Sequence, residues 1–228
     1  PEARARAART AVLDSRPMEP FAEPAPRPVP PAAAAGELLR PALVLWLVTQ
    51  VGYGVYAQLV ELLWRAHGSE TAGLLLYEPG YALLCGVGLW FVRRDPDARR
   101  VFARPRPRAV ELCLLIGIGT ASVLWAWEGA VVPSDTPSPI DYQFAAGWPL
   151  WAALLTSAVA PALFEEWMYR GLLLQRFRSV LPVELAIAVQ AMLFAAMHFD
   201  PVMLLPHFVF GAAAGVLRLI AGGLWPCM

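Results

Sequence analysis

Apolar runs of bilayer length recur along this chain, and they constrain its fold more than any other feature. A hydrocarbon core of about 30 Å takes roughly 20 apolar residues as a helix. Runs of that kind cover about residues 41–64, 71–92, 109–127, 148–178, 183–198 and 202–220, and another opens at Leu224. Lipid offers the backbone no hydrogen bonds, so each run must satisfy itself as a helix. The expected fold is all-α: a polytopic transmembrane helix bundle of six spans plus the start of a seventh, over residues 41–228. Composition agrees, with 58% hydrophobic and 16% charged residues and a mean hydropathy of +0.51. Soluble domains carry about 25% charged residues. A formal net charge of zero excludes a nucleic-acid binder built on a basic surface.

Residues 1–40 differ from the rest. They hold eight prolines, six arginines and the alanine run 32–35. Such a segment buries too little apolar surface to offset the entropy of ordering it, so a disordered cytoplasmic tail is expected. It has no continuous apolar core and is not a secretory signal peptide. Residue 1 is proline and the first methionine is Met18, an alternative start. Leu224-Trp225-Pro226-Cys227-Met228 reads as the opening of a further helix, so a C-terminally truncated fragment is expected. Cys85, Cys113 and Cys227 form no CxxC pair, and no disulfide framework is inferred.

Arginine placement predicts the orientation. The 93–108 loop holds seven arginines, whereas the 128–147 loop carries Glu128, Asp135 and Asp141 and no basic residue. Arg176 and Arg178 follow the fourth run, and Arg218 ends the sixth. The positive-inside rule then puts the N-terminus and the 93–108 loop in the cytoplasm and the 128–147 loop outside. All eighteen basic residues are arginine, which reads as GC-rich codon bias and points to a bacterial cytoplasmic (inner) membrane.

Ionisable residues inside spans are costly and are functional candidates. Glu61 lies near the outer end of the first run, where its carboxylate can snorkel to the interface. Glu78 precedes Pro79-Gly80, where a helix break could admit water. The stretch Phe164-Glu165-Glu166-Trp167-Met168-Tyr169-Arg170-Gly171 is harder to explain structurally. Glu166 and Arg170 are four apart, share a helix face and can pair. Glu165 is five from Arg170 and is expected to point well away from it. The pair thus neutralises one glutamate and leaves its neighbour aimed into the bundle. Counting back from Arg176, Glu165 sits about 11 residues, or ~16 Å, inside the helix end. A carboxylate there, without a counter-ion of its own, suits general-base chemistry.

Two further elements follow. In Phe194-Ala195-Ala196-Met197-His198, Phe194 and His198 share a face just ahead of Pro201. A lone histidine of this kind commonly makes one interhelical bond; beside a glutamate pair it becomes a partner for it. In Phe208-Val209-Phe210-Gly211-Ala212-Ala213-Ala214-Gly215, glycines four apart allow close helix approach, which is a packing device. His207, after Pro206 at the mouth of that helix, reads as a helix-start residue rather than a catalytic one.

Glu165-Glu166-xxx-Arg170, Phe194-xxx-His198 and Phe208-xx-Gly211-xxx-Gly215, in this order and spacing, resemble the CAAX protease and bacteriocin-processing (CPBP, Abi) family of intramembrane glutamic endopeptidases. The type II CAAX prenyl protease is related to them. The resemblance covers about 148–228, including the Leu224-Trp225-Pro226 step. It implies Glu165 as the base that activates water and His198 as the group that positions it or stabilises the oxyanion. It implies Glu166 and Arg170 as a supporting pair beside Phe194, with Phe208, Gly211 and Gly215 serving helix packing. The family's HxxxN motif, expected after the Trp-Pro step, is not within residues 1–228, and His207 precedes the glycine motif instead of following it.

The implied activity is hydrolysis of a peptide bond in a membrane-anchored or membrane-proximal substrate, without a metal or other cofactor. Two alternatives stand beside it. One is a zinc-dependent protease using Glu165 and His198, although HExxH is absent and the ligand spacing is not diagnostic. The other is a non-catalytic membrane immunity or adaptor protein of the same fold. The expected partners are the bilayer and a membrane-anchored protein or peptide, with no nucleic acid; oligomeric state is not encoded in any of these patterns.

Overall fold

The computed structural model describes residues 31–67, 107–133, 139–145 and 147–224, with isolated helical positions between 80 and 90. Regular structure among the described residues is helical throughout. Helix α1 is Ala32–His67, α2 is Pro107–Val131 and α3 is Pro139–Ala145. Residues 150–177 form one continuous helical rod, α4. Val183–Ala196 is α5 and Leu204–Ala221 is α6. Glu78, Cys85, Trp225, Pro226 and Cys227 lie outside the described residues, as does the side chain of Glu61.

Three helices are long and apolar enough to cross a membrane: Ala32–Val60 within α1, Val110–Val131 within α2, and Leu204–Ala221. The chain is a multi-pass membrane protein. Helix α5 is apolar but has 14 residues, short of a full crossing. The expected second span, about 71–92, lies largely outside the described residues. Helix α1 begins nine residues before the Pro41 start that hydropathy suggested, because the alanine run 32–35 has the highest helix propensity available. Residues 32–40, expected to end a disordered tail, are therefore helical. Residues 1–30 of that tail lie outside the described residues.

Burial is uneven in the way a bilayer dictates. On α1 and α2 large apolar side chains such as Val48, Leu115 and Trp125 face outward. Lipid solvates them as well as a protein core would. The packed core lies instead around α4, where Phe164, Trp167, Met168, Tyr169, Leu173 and Phe177 bury with Phe194 of α5 and Ala42 of α1. A smaller cluster of Cys113, Leu217 and Ala221 ties α2 to α6.

Helix α4 is not a plain α-helix. It widens into π-helix at Leu155–Val159 and again at Glu166–Leu173. The first widening precedes Pro161, whose ring lacks an N–H and crowds the carbonyl four residues back. There the buried Gln143 of α3 donates from Nε2 to Thr156 Oγ1 at 3.0 Å and accepts from Ser157 Oγ at 3.0 Å. The second widening contains the glutamate–arginine pair, and all eight of its residues are buried. Segments of π-helix recur at functional sites.

Helices α5 and α6 pack closely through their small residues. A Cβ on Gly211 would lie 3.1 Å from both the Ala191 backbone and the Phe194 ring. The buried Gln190 donates from Nε2 to the Gly211 carbonyl at 2.9 Å, a bond that needs this close approach. Gly215 faces Ile187 with slightly more room, and Phe208 is half-buried.

Candidate active site

The ring of Phe194 is the hub where α4, α5 and α6 meet. From α4, the Arg170 guanidinium carbon sits 4.4 Å from its centroid, and Tyr169 packs edge-on at 5.2 Å. From α6, Phe210 lies at 5.9 Å and His207 at 6.2 Å. His198, one turn further along, lies edge-on at 4.9 Å. Helix α1 joins through Trp46, whose Nε1–H donates to Tyr169 Oη at 2.9 Å.

Arg170 is among the most deeply buried side chains described, with 1% exposure. Its Nη1 lies 2.8 Å from Glu166 Oε1, the pairing that the four-residue spacing predicts. Arg170 Nε and Nη2 and Glu166 Oε2 have no hydrogen-bond partner among the described residues. A second aromatic face partly offsets that loss: Phe210 stands 5.7 Å from the guanidinium carbon, within cation–π range.

Glu165 is half-buried and makes no ion pair or hydrogen bond among the described residues. The charges of Arg170 and Glu166 both act on it. The π-helix opens at the next residue, Glu166. Bonding from residue i to i+5 turns the chain less per residue, so side chains five apart come closer to one line.

His198 stands past the end of α5, in the turn that leads to α6. Its Nδ1 lies 2.9 Å from the Phe194 carbonyl oxygen. A carbonyl only accepts, so this bond requires the proton on Nδ1 and leaves Nε2 with its lone pair. The turn is tightened by Asp200, whose Oδ1 accepts from the backbone N–H groups of Val202 at 2.9 Å and Met203 at 3.2 Å. Phe199 in the same turn has φ 51°, a left-handed conformation unfavourable for a bulky side chain, and is 84% exposed. No hydrogen bond joins Glu165 to His198 among the described residues; both lie in the field of Arg170.

Sequence reasoning missed two members of this cluster. His207, read as a helix-start residue, stacks on His198 with ring centroids 3.7 Å apart and planes within 15°. The signal was its position nine residues after His198, across a turn bounded by Pro201 and Pro206. Trp46 gave no signal, because its bond to Tyr169 spans 123 residues.

A groove of about 510 Å³ runs along α1 from Trp46 to Leu59 and ends at Ala196, Met197 and Phe199, on either side of His198. Its walls are apolar except for Gln50 and Gln58. Among the described residues no three His, Cys, Asp or Glu side chains gather as a metal cluster.

No curated protein and no solved structure is similar enough to this chain to count as a match. A family model does match: residues 146–228 fit that of the Rce1-like type II CAAX prenyl endopeptidases. That span contains Glu165, Glu166, Arg170, Phe194, His198, His207 and the glycine pair, all the cluster described above except Trp46. Over residues 146–228 the chain is thus similar to the Rce1-like type II CAAX prenyl endopeptidases.

Proposed function

We propose that the protein is a metal-free intramembrane endopeptidase in which Glu165 is the general base and His198 assists. The observation that carries this reading is the division of labour within the glutamate pair. Glu166 is committed to Arg170 at 2.8 Å, whereas Glu165 keeps a carboxylate without a hydrogen bond or ion pair among the described residues. A structural scaffold needs the first and has no use for the second.

Peptide hydrolysis needs a deprotonated water and stabilisation of the oxyanion that forms on the carbonyl. Glu165 takes the water's proton as the oxygen attacks, then returns it to the amine as the C–N bond breaks. His198 accepts a hydrogen bond from the water through Nε2, the nitrogen that its Phe194 bond leaves unprotonated. The buried Arg170 charge favours the anionic intermediate nearby. The groove beside Met197 and Phe199 gives a membrane-anchored substrate a lateral approach to these groups. Its apolar walls suit a segment that arrives from lipid.

Two observations favour this over zinc. The His198 and His207 rings are parallel, so their in-plane lone pairs run side by side and do not converge on one ion. HExxH is absent from the sequence. We further infer an N-terminus in the cytoplasm of a bacterial inner membrane, on the arginine distribution.

The test is cleavage of a membrane-anchored peptide by the full-length protein reconstituted in vesicles. Glu165→Gln is expected to lower turnover by about 10²–10⁴, the usual worth of a general base, with unchanged folding. Activity is expected to persist in a chelator. Normal turnover by Glu165→Gln would overturn the assignment, and loss of activity on chelation would restore the zinc mechanism.

A further inference from the structure

We propose that His207 is a positioning residue for His198, holding its imidazole plane by face-to-face stacking; this rests on the proteolytic reading of the site. His198 lies beyond the last turn of α5, where its backbone is no longer held by a helical ladder: its N–H reaches only the Ala195 carbonyl at 3.3 Å. Its side chain therefore depends on three local contacts. The Nδ1 bond to the Phe194 carbonyl fixes one point of the ring. The Phe194 ring, edge-on at 4.9 Å and 67°, supports one side. His207, stacked at 3.7 Å and 15°, covers a face.

The first contact alone leaves the ring able to pivot about the Nδ1 bond, which would swing Nε2 through an arc. The stacked His207 blocks that pivot. It can do so because it is anchored independently, on the first turn of α6, where its own N–H reaches the Met203 carbonyl at 2.9 Å. Pro206, which is buried, fixes the backbone just ahead of it. His207 Nδ1 is buried and has no hydrogen-bond partner among the described residues, and the contact His207 makes with His198 is ring on ring. The charges acting on His198 are Arg170 of α4 and Asp200 of its own turn.

This makes the flat ring the essential feature of residue 207 and its titration incidental. In the reconstituted full-length protein, His207→Ala is expected to lower kcat at least tenfold with KM changed less than twofold, and His207→Phe to recover at least half of wild-type kcat. Wild-type kcat in His207→Ala, or a His207→Phe as impaired as His207→Ala, would overturn the proposal. A second measurement needs no activity. The chain holds three histidines, so nitrogen NMR of histidine-labelled protein in detergent can follow His198, assigned by its loss in His198→Ala. The Nδ1–H tautomer is expected in wild type, His207→Phe and His207→Ala, with the relaxation of the His198 ring nitrogens showing added ring motion in His207→Ala and not in His207→Phe. Unchanged His198 relaxation in His207→Ala would overturn the proposal even if no cleavage is found. Absence of wild-type cleavage, or full turnover by Glu165→Gln, would count against the proteolytic reading alone.

Discussion

The guanidinium carbon of Arg170 lies 4.4 Å above the centre of the Phe194 ring, so the charge that Glu166 neutralises on one side is covered by an aromatic face on the other. That geometry fixes α4 against α5 at the level of the proposed catalytic groups. It also joins the two motifs: the arginine belongs to the glutamate motif, and the phenylalanine to the one that ends in His198.

Breaking the ion pair on one side is expected to cost stability more than activity. Glu166→Gln leaves Arg170 charged and buried without its carboxylate, at about 3–5 kcal/mol. Thermal unfolding in detergent should show it, together with reduced protein yield. The double variant Glu166→Met/Arg170→Met removes both charges and is expected to regain much of that loss, since apolar replacements of buried pairs are often neutral.

Removing the hub should act on every element at once. Phe194→Ala opens a cavity beneath Arg170, Tyr169, His198 and Phe210, at about 3–5 kcal/mol. Phe194→Leu fills most of the volume but offers no π face. It is expected to melt between wild type and alanine, and the Phe-to-Leu difference is expected to be smaller in an Arg170→Met background than in the wild-type one.

The helical character of the chain was legible in its hydropathy, because a bilayer leaves apolar runs no other conformation. So was the Glu166–Arg170 pairing, which depends on a local spacing. The start of α1 at Ala32 was not, because proline density outweighed the alanine run that nucleates the helix. The π-helical turns were also hidden. A shift from i+4 to i+5 bonding is decided by the packing of Glu166–Leu173 in the core and by Pro161, and it left no periodic trace. The His198–His207 stack depends on how the turn of residues 197–203 closes, with Asp200 bonding Val202 and Met203. Those are contacts of geometry, not of pattern.

Orientation can be tested without activity. Reporter fusions in the 93–108 loop, with seven arginines, are expected to register cytoplasm, and fusions near Ser134–Ser138 the opposite side. The reverse result would invert the bundle and move the proposed site to the outer half of the membrane.

The two glycines of α6 should respond differently to one added methyl group. At Gly211 a Cβ meets the Ala191 Cα and the Phe194 ring at 3.1 Å. Backbone cannot yield as a flexible side chain does, so α6 must move off α5. That movement lengthens the 2.9 Å bond from Gln190 to the Gly211 carbonyl and strips the buried carboxamide of its partner. It also shifts Phe194, and with it the platform under Arg170 and His198. Gly211→Ala is therefore expected to cost about 1–3 kcal/mol, the usual range for overpacking, and to reduce activity as well. At Gly215 the nearest contact for a Cβ is the Ile187 methyl at 3.4 Å, an ordinary van der Waals distance. Gly215→Ala also adds helix propensity worth up to about 1 kcal/mol, so it is expected to leave the melting temperature unchanged or raise it. Unfolding of the two single variants side by side checks the contrast. Equal melting temperatures would mean that α5 and α6 do not approach as closely at Gly211 as the Gln190 bond requires.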